Sequence, residues 1–145
     1  MYAKSVHPFS PVSPVRSVMV WPVATVEREV TLTEVAEALA ADEIGALCVV
    51  ENGALAGIIS ERDVVAHLAA GADSAHLSAG EVMTSDVVTV GPEESIRAAA
   101  RRMHDDQIRH LPVLDDGAIA GIVSIRDLLA VLVDHECRPE PAEIR

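Results

Sequence analysis

The sequence Gly57-Ile58-Ile59-Ser60-Glu61-Arg62-Asp63 occurs a second time as Gly121-Ile122-Val123-Ser124-Ile125-Arg126-Asp127, and the rest of the chain is organised around these two copies. Each copy predicts an apolar strand that runs into a helix, with a serine placed to cap the first helical turn. The free backbone N–H groups of such a helix start attract anions. The aspartate three residues after the serine could accept hydrogen bonds from vicinal hydroxyls, such as those of a ribose. Two copies at one offset indicate a duplicated unit.

The duplication extends over most of the chain without an insertion. The same offset of 64 residues separates Met19 from Met83, Thr25 from Thr89, Ile44 from Ile108, Gly53 from Gly117 and Asp63 from Asp127. Each unit predicts a short strand, a helix, two strands joined by a tight turn, and a second helix. The predicted first strands are Val23 to Val26 and Val87 to Val90, and the hairpin turns are Asn52-Gly53 and Asp116-Gly117.

The first helix of each unit is predicted from apolar residues at helical spacing. They are Leu32, Val35, Ala36 and Leu39 in the first unit, and Ile96, Ala99, Ala100 and Met103 in the second. Thr31 and Glu34 have the spacing of a capping box at the start of the first of these helices.

The domain organisation follows from the repeat and from the polar stretches around it. We expect a flexible leader at residues 1–16, the first unit at 17–70, a linker at 71–80, the second unit at 81–134 and a flexible tail at 135–145. Prolines recur every third residue in the leader, which also fits a PxxP ligand. A unit of this size is too small to be very stable alone, so the two should pack together by their sheets.

Composition excludes several classes of function. The formal charge of −12 and an aromatic content of 2% argue against nucleic acid and anionic membranes as partners. Neither a secretory signal nor a run of apolar residues long enough to span a bilayer is present, so we expect a cytoplasmic protein. Cys48 and Cys137 form no disulfide framework, and no metal-ligand spacing occurs. We therefore expect no bound metal.

Taken together, these features resemble a tandem pair of CBS domains, the module named after cystathionine β-synthase. The resemblance runs from Ser17 to Asp134 and rests on the element order, the starts Val18-Met19 and Val82-Met83-Thr84, the run Asp106 to Val113 and the twin motifs quoted above. The chain is most similar to the stand-alone CBS pairs of bacteria. The resemblance implies an α/β (α+β) sandwich of two β-α-β-β-α repeats with pseudo-two-fold symmetry. It also implies two clefts that bind adenosine-containing ligands such as AMP, ADP, ATP, S-adenosylmethionine or NAD, and a homodimer.

In the first of these clefts, termed the Asp127 cleft, the resemblance gives a role to each matching position. Asp127 would bind the ribose hydroxyls, Ser124 the ribose or phosphate, and Arg109 with His110 the phosphates. The adenine would be walled by Thr25, Ile44, Gly45, Ala46 and Ile122.

The second, termed the Asp63 cleft, would use the symmetry-equivalent residues Ile58, Ser60, Asp63, Thr89 and Ile108, with Arg109 facing them. Gly45 and Ala46 occupy the positions equivalent to Arg109 and His110, so the first repeat supplies no basic pair. We therefore expect weaker phosphate binding there, with Arg62 and Arg126 as candidate substitutes.

Simpler roles for these residues stay open. Each serine and aspartate also fits an ordinary helix cap that needs no ligand, and Arg109 with His110 could be surface residues that balance Asp105 and Asp106. Three further arginines of the second unit are predicted on the solvated face of a helix: Arg97, Arg101 and Arg102. Cys48 fits a small core residue.

These residues bear on three classes of function. The favoured one is a regulatory module that senses an adenosine-containing nucleotide, AMP or ADP in preference, and signals through a partner protein or through dimer geometry. The alternative is a dimeric scaffold protein with empty clefts. An enzyme is disfavoured, because the sequence shows no nucleophile beside a base, no metal set and no P-loop. No obligatory cofactor is expected, and the adenine nucleotide would be a regulatory ligand.

Overall fold

The computed structural model describes residues 8–136, with side chains as far as Asp134. Its strands are β1 (Thr25–Glu27), β2 (Ala46–Glu51), β3 (Ala54–Ser60), β4 (His110–Asp115) and β5 (Ala118–Ser124). Its helices are α1 (Leu32–Asp42), α2 (Glu61–Ala69), α3 (Ala79–Val82), α4 (Ile96–Asp106) and α5 (Ile125–Glu136), after a 3-10 turn at Val15–Ser17. Within the described part of the chain, no helix is both long and apolar enough to cross a bilayer. The mixed α/β class predicted from the sequence is confirmed.

Two hairpins form the centre of the fold. β2 and β3 pair antiparallel, β1 adds to β2 in parallel, and β4 pairs antiparallel with β5. Both hairpins turn at the predicted residue pairs, which have positive φ angles: Asn52 at 51°, Gly53 at 79°, Asp116 at 50° and Gly117 at 80°. These angles match the two-residue turn whose twist suits paired strands.

The helices bury the predicted apolar stripes. Leu32, Val35 and Leu39 of α1 are buried, as are the equivalent Ile96, Ala99 and Met103 of α4. The predicted capping box also forms: the Thr31 hydroxyl accepts from the Glu34 N–H, and Glu34 accepts from the Thr31 N–H at 2.8 Å. Such a box satisfies two backbone donors that the helix itself leaves free.

The two repeats are connected through exchanged lead segments, which we define as residues 15–19 and 79–83. Val15 is completely buried in the hydrophobic core of the second repeat, whereas Ala79 and Val82 are buried in the core of the first. Met19 packs so closely on Gly121, and Met83 on Gly57, that a Cβ at either glycine would lie within 3 Å of the methionine sulfur. Each core is therefore completed by the other repeat.

Backbone bridges repeat this exchange with the 64-residue offset. Val20 bridges to Ile122 and Ile58 to Thr84, while Pro14 bridges to Ser95 and Thr31 to Ser78. Thr84 is the equivalent of Val20, and Ile58 is the equivalent of Ile122. The second pair of bridges is related in the same way, so each bridge has a counterpart in which the two repeats are interchanged. The pairing is the internal evidence for pseudo-two-fold symmetry.

The structure describes residues 8–16 of the predicted leader and the whole predicted linker at 71–80, and both make backbone hydrogen bonds to the repeats. In the leader, Val15 N–H donates to the Glu94 carbonyl at 2.8 Å, and Ile96 N–H donates to the Ser13 carbonyl at 2.9 Å. In the linker, Leu32 N–H donates to the Leu77 carbonyl at 2.8 Å. Residues 13–16 and 77–80 are therefore held in place next to the lead segments, which are buried in the cores. The tail prediction begins inside α5, and residues 1–7 and 137–145 lie outside the described residues.

The predicted strand Val87 to Val90 is wrong, since only a single parallel bridge between Val90 and Val113 forms there. In the first repeat, the Cys48 N–H donates to the Ala24 carbonyl at 3.0 Å and extends the ladder. Pro112 stands at the position equivalent to Cys48 and has no N–H to donate. The ladder of the second repeat is therefore one step long.

Arg102 holds this shortened segment in place, although the sequence predicted a solvated side chain. Its guanidinium donates to the Thr89 carbonyl at 2.7 Å and pairs with both carboxylate oxygens of Glu94 at 2.8 and 3.1 Å. Hydrogen bonds from Arg102 and from the Gly91 N–H keep the pKa of Glu94 below its usual range. In the first repeat, alanine and valine stand at the positions of this pair.

Candidate functional site

A cavity of about 930 Å³ opens between the repeats and contains Asp127. Its walls come from the segment before β1, the end of α1, the start of β2, the first turns of α2 and α5, and the strands of the second repeat. The residues that line it are Val20, Pro22, Val23, Ala24, Ala36, Leu39, Ala40, Asp42, Glu43, Ile44, Gly45, Ala46, Glu61, Val64, Val65, Arg109, His110, Ile122, Ser124, Ile125, Arg126 and Asp127.

Asp127 is fixed by the cap of α5. The Ser124 N–H and hydroxyl both donate to Oδ2 of Asp127, at 3.0 and 2.9 Å, and the Asp127 N–H donates to the Ser124 hydroxyl at 3.2 Å. The helix-cap interpretation is thus realised. Because these contacts use only one carboxylate oxygen, Oδ1 is left as the atom that could accept from a ligand hydroxyl.

His110 lies at the junction of the two repeats. A Cβ built on Gly45 would be 2.8 Å from His110 Nε2, so the imidazole packs directly on the glycine backbone. Burial lowers the pKa of His110, the carboxylates of Glu61 and Asp127 act in the opposite direction, and Arg109 adds to the lowering. The imidazole is consequently mostly neutral at pH 7.

The charged groups of the cavity are predominantly acidic. Asp42 and Glu43 from the end of α1, Glu61 from the start of α2 and Asp127 face two arginines, Arg109 and Arg126. The remaining walls are mainly aliphatic, with Ile44 on one side and Ile122 on the other. This combination suits a flat apolar group with a polar, hydroxylated extension.

Most residues predicted for the Asp127 cleft are brought together by the structure. The cavity is lined by Ile44, Gly45, Ala46, Arg109, His110, Ile122, Ser124 and Asp127. Thr25 is not among the lining residues, since it is an exposed residue of β1 paired with Cys48. The preceding segment lines the cavity in its place, through Val23 and Ala24.

The five symmetry-equivalent residues predicted for the Asp63 cleft do not line this cavity, whereas Arg109, expected to face them, and Arg126 do. Ser60 and Asp63 form the same capping box as their equivalents, with contacts to Asp63 Oδ2 at 2.8 and 3.0 Å. The carbonyl of Thr89 is bound by Arg102. Ile58 bridges to Thr84, and Ile108 packs against the core of the second repeat. The weaker phosphate binding expected of the Asp63 cleft stays a prediction.

Sequence reasoning missed several residues of the cavity. Glu61, Val64 and Val65 of α2 and Val20, Pro22 and Val23 before β1 all contribute to its walls. For Glu61 a signal existed, because it directly follows Ser60 and so belongs to the first copy of the repeated motif. The stretch before β1 carried no sequence pattern that pointed to a cleft. Among residues 8–134, no group of three or more His, Cys, Asp or Glu is placed to hold a metal ion.

Comparison with known proteins identifies the family. The model of the CBS domain matches residues 15–70 and 79–134. The CBS domain-containing protein YhcV of Bacillus subtilis is 33% identical, over 86% of this chain and 89% of its own. The two ranges matched by the family model include both exchanged lead segments.

Two solved structures share the fold at similar identity. The CBS domain pair of protein MJ0100, in complex with 5′-methylthioadenosine and S-adenosyl-L-methionine, is 29% identical with a TM-score of 0.75, covering 81% of this chain and 94% of that one. Hypoxic Response Protein I, with two coordinated zinc ions, is also 29% identical, with a TM-score of 0.72 and coverage of 88% and 100%. The predicted resemblance is confirmed, and the chain belongs to the CBS-domain family as a tandem pair of CBS domains.

Proposed function

We propose that this CBS pair is a regulatory module that binds one adenosine-containing ligand in the Asp127 cleft. The observation that carries the proposal is the position of Asp127, whose Oδ1 is left over by the helix cap beside a cavity of about 930 Å³ between the repeats. A volume of this order matches the pockets that hold small organic ligands. MJ0100, which has the same fold, is in complex with two adenosine derivatives.

The lining residues divide according to the parts of such a ligand. The aliphatic walls at Ile44 and Ile122 suit the adenine ring, and Asp127 suits the ribose hydroxyls. Ser124 and the start of α5, a helix of 12 residues, lie where the 5′ substituent would begin. Arg109 and Arg126 are the cations for a phosphate, and they support the prediction of an AMP- or ADP-like ligand.

Regulation would follow because the walls of the cleft come from both repeats. Both repeats contribute to the cleft, so a ligand that prefers one relative arrangement of the repeats shifts the population toward it. Apolar side chains are exposed on α2 and α5, at Val65, Leu68, Leu129 and Val133. We propose that these helices meet a second copy in a homodimer, and that a partner protein reads the ligand-dependent geometry.

The second candidate is a scaffold protein with an empty cleft. It is favoured by the capping boxes, because Ser124 and Asp127 already have partners without a ligand. The two candidates differ in one measurement, the thermal unfolding midpoint with and without adenosine, AMP, ADP, ATP, NAD and S-adenosylmethionine. A regulatory module should show a saturable rise in the midpoint with at least one of these compounds. A scaffold should show none with any of them.

A further inference from the structure

Glu61 places a carboxylate at the point where the two repeats meet inside the Asp127 cleft. Its backbone N–H donates to the Gly45 carbonyl at 2.9 Å, which fixes the start of α2 against the junction. Its Oε1 lies 3.5 Å from the position a Gly45 Cβ would take, and His110 Nε2 lies 2.8 Å from the same position. The carboxylate and the imidazole therefore flank one point of the cavity wall.

The equivalent position in the second repeat is uncharged. Ile125 follows Ser124 as Glu61 follows Ser60, and its N–H makes the equivalent hydrogen bond to the Arg109 carbonyl at 2.8 Å. The backbone needs no acid at this place. The carboxylate of Glu61 can thus be replaced by an uncharged side chain without loss of the hydrogen bond that positions the start of α2.

The carboxylate of Glu61 adds to an excess of negative charge in the cleft. Four acidic side chains face two arginines, and His110 adds little positive charge at pH 7 because burial keeps its pKa low. The whole protein carries a formal charge of −12, so no long-range field draws anions to the cavity. Arg109 and Arg126 can neutralise one phosphate, whereas a longer polyphosphate would meet uncompensated carboxylates.

We infer that Glu61 is a specificity-determining residue that selects adenosine ligands by the charge of their 5′ substituent. It disfavours ligands in proportion to the negative charge they bring beyond the first phosphate, and it favours a cationic substituent such as a sulfonium. This inference rests on the proposed function, because it concerns the same cleft.

The test compares the 145-residue chain with its Glu61→Gln and Glu37→Gln variants by isothermal titration with adenosine, AMP, ATP and S-adenosylmethionine. Glu37 is an exposed residue of α1 that does not line the cavity, so its substitution changes the net charge equally. Adenosine carries no charge and reports any structural damage. Glu61→Gln should raise the affinity for ATP relative to adenosine by about threefold to tenfold and lower that for S-adenosylmethionine. Both changes should shrink as salt is raised.

The inference is overturned if Glu61→Gln changes all four affinities by the same factor, or if Glu37→Gln produces the same changes. In either case binding itself persists, and the proposed function stands. If the unaltered protein binds none of these four compounds and neither ADP nor NAD, the proposed function fails and the inference falls with it.

Discussion

The imidazole of His110 in the second repeat packs on the backbone of Gly45 in the first, with Nε2 only 2.8 Å from where a Cβ would be. This contact crosses the boundary between the repeats inside the cavity. Any side chain at Gly45 must therefore displace the ring. The pair couples the relative position of the repeats to the shape of the cleft.

Gly45→Ala should destabilise the protein by about 1–2 kcal/mol, since a close-packed junction resists an added methyl group. Chemical denaturation measures the change in the free energy of unfolding. Gly91→Ala is the matched control, because a Cβ there meets its nearest atom at an ordinary 3.7 Å. In the double variant Gly45→Ala/His110→Ala the two changes should couple, with a total cost below the sum of the single costs. Strict additivity would contradict the contact.

His110 should make stability depend on pH. Its pKa is lower in the folded protein than in the unfolded chain, mainly because of burial, so below about pH 6.5 the unfolded chain binds more protons. Stability should therefore fall with decreasing pH through this window, and His110→Gln should remove that part of the fall. We would measure unfolding free energies between about pH 5 and pH 8. His104→Gln, on an exposed position of α4, serves as the control. An unchanged pH dependence in His110→Gln would contradict the account.

Cys48 should be chemically inert in the folded state. It is completely buried in β2, and burial raises the pKa of its thiol to about 11. Because the thiolate is the reactive form, alkylation at pH 7.5 should require unfolding. The measurement is the labelling rate in a Cys137→Ser variant, with and without denaturant. Rapid labelling of the native protein would show that the β2 core is open to solvent.

Arg102→Ala should cost about 1–2 kcal/mol of stability, since it removes a bidentate contact to Glu94 and the hydrogen bond to the Thr89 carbonyl. Arg101→Ala is the matched control on the neighbouring, exposed position of the same helix and should change stability by less than about 0.5 kcal/mol. Equal effects of the two substitutions in denaturant titrations would show that the Arg102 network contributes nothing specific.

The sequence predicted the fold well wherever the signal was local. The positive-φ pair Asn52-Gly53 and the capping box of Thr31 and Glu34 depend on neighbouring residues, and the structure contains both. The 64-residue offset is not local, but it can be counted directly on the sequence. The absence of a strand at Val87 to Val90 could have been predicted from the sequence. Pro112 lacks the N–H that the ladder requires, but its effect appears only when it is compared with the equivalent Cys48.

The exchange of the lead segments could not be predicted in this way. The offset shows that Val15 corresponds to Ala79, but equivalence does not say which repeat each residue packs on. The same limit applies to the cleft. Asp127 and Glu61 both belong to the repeated motif, but Glu61 of the first copy, like Val20, lines the cavity of the second copy's Asp127 only because the repeats pack as they do.

We propose that one cleft per chain, organised by Asp127, binds an adenosine-containing ligand. Isothermal titration of the protein, Asp127→Ala and Asp63→Ala with the compound that best stabilises it tests this claim. The two variants lose equivalent capping contacts, so both should lose similar stability, about 1 kcal/mol. We predict one site per chain, binding largely abolished in Asp127→Ala and nearly unchanged in Asp63→Ala. Equal losses in both variants, or full binding by folded Asp127→Ala, would contradict the account.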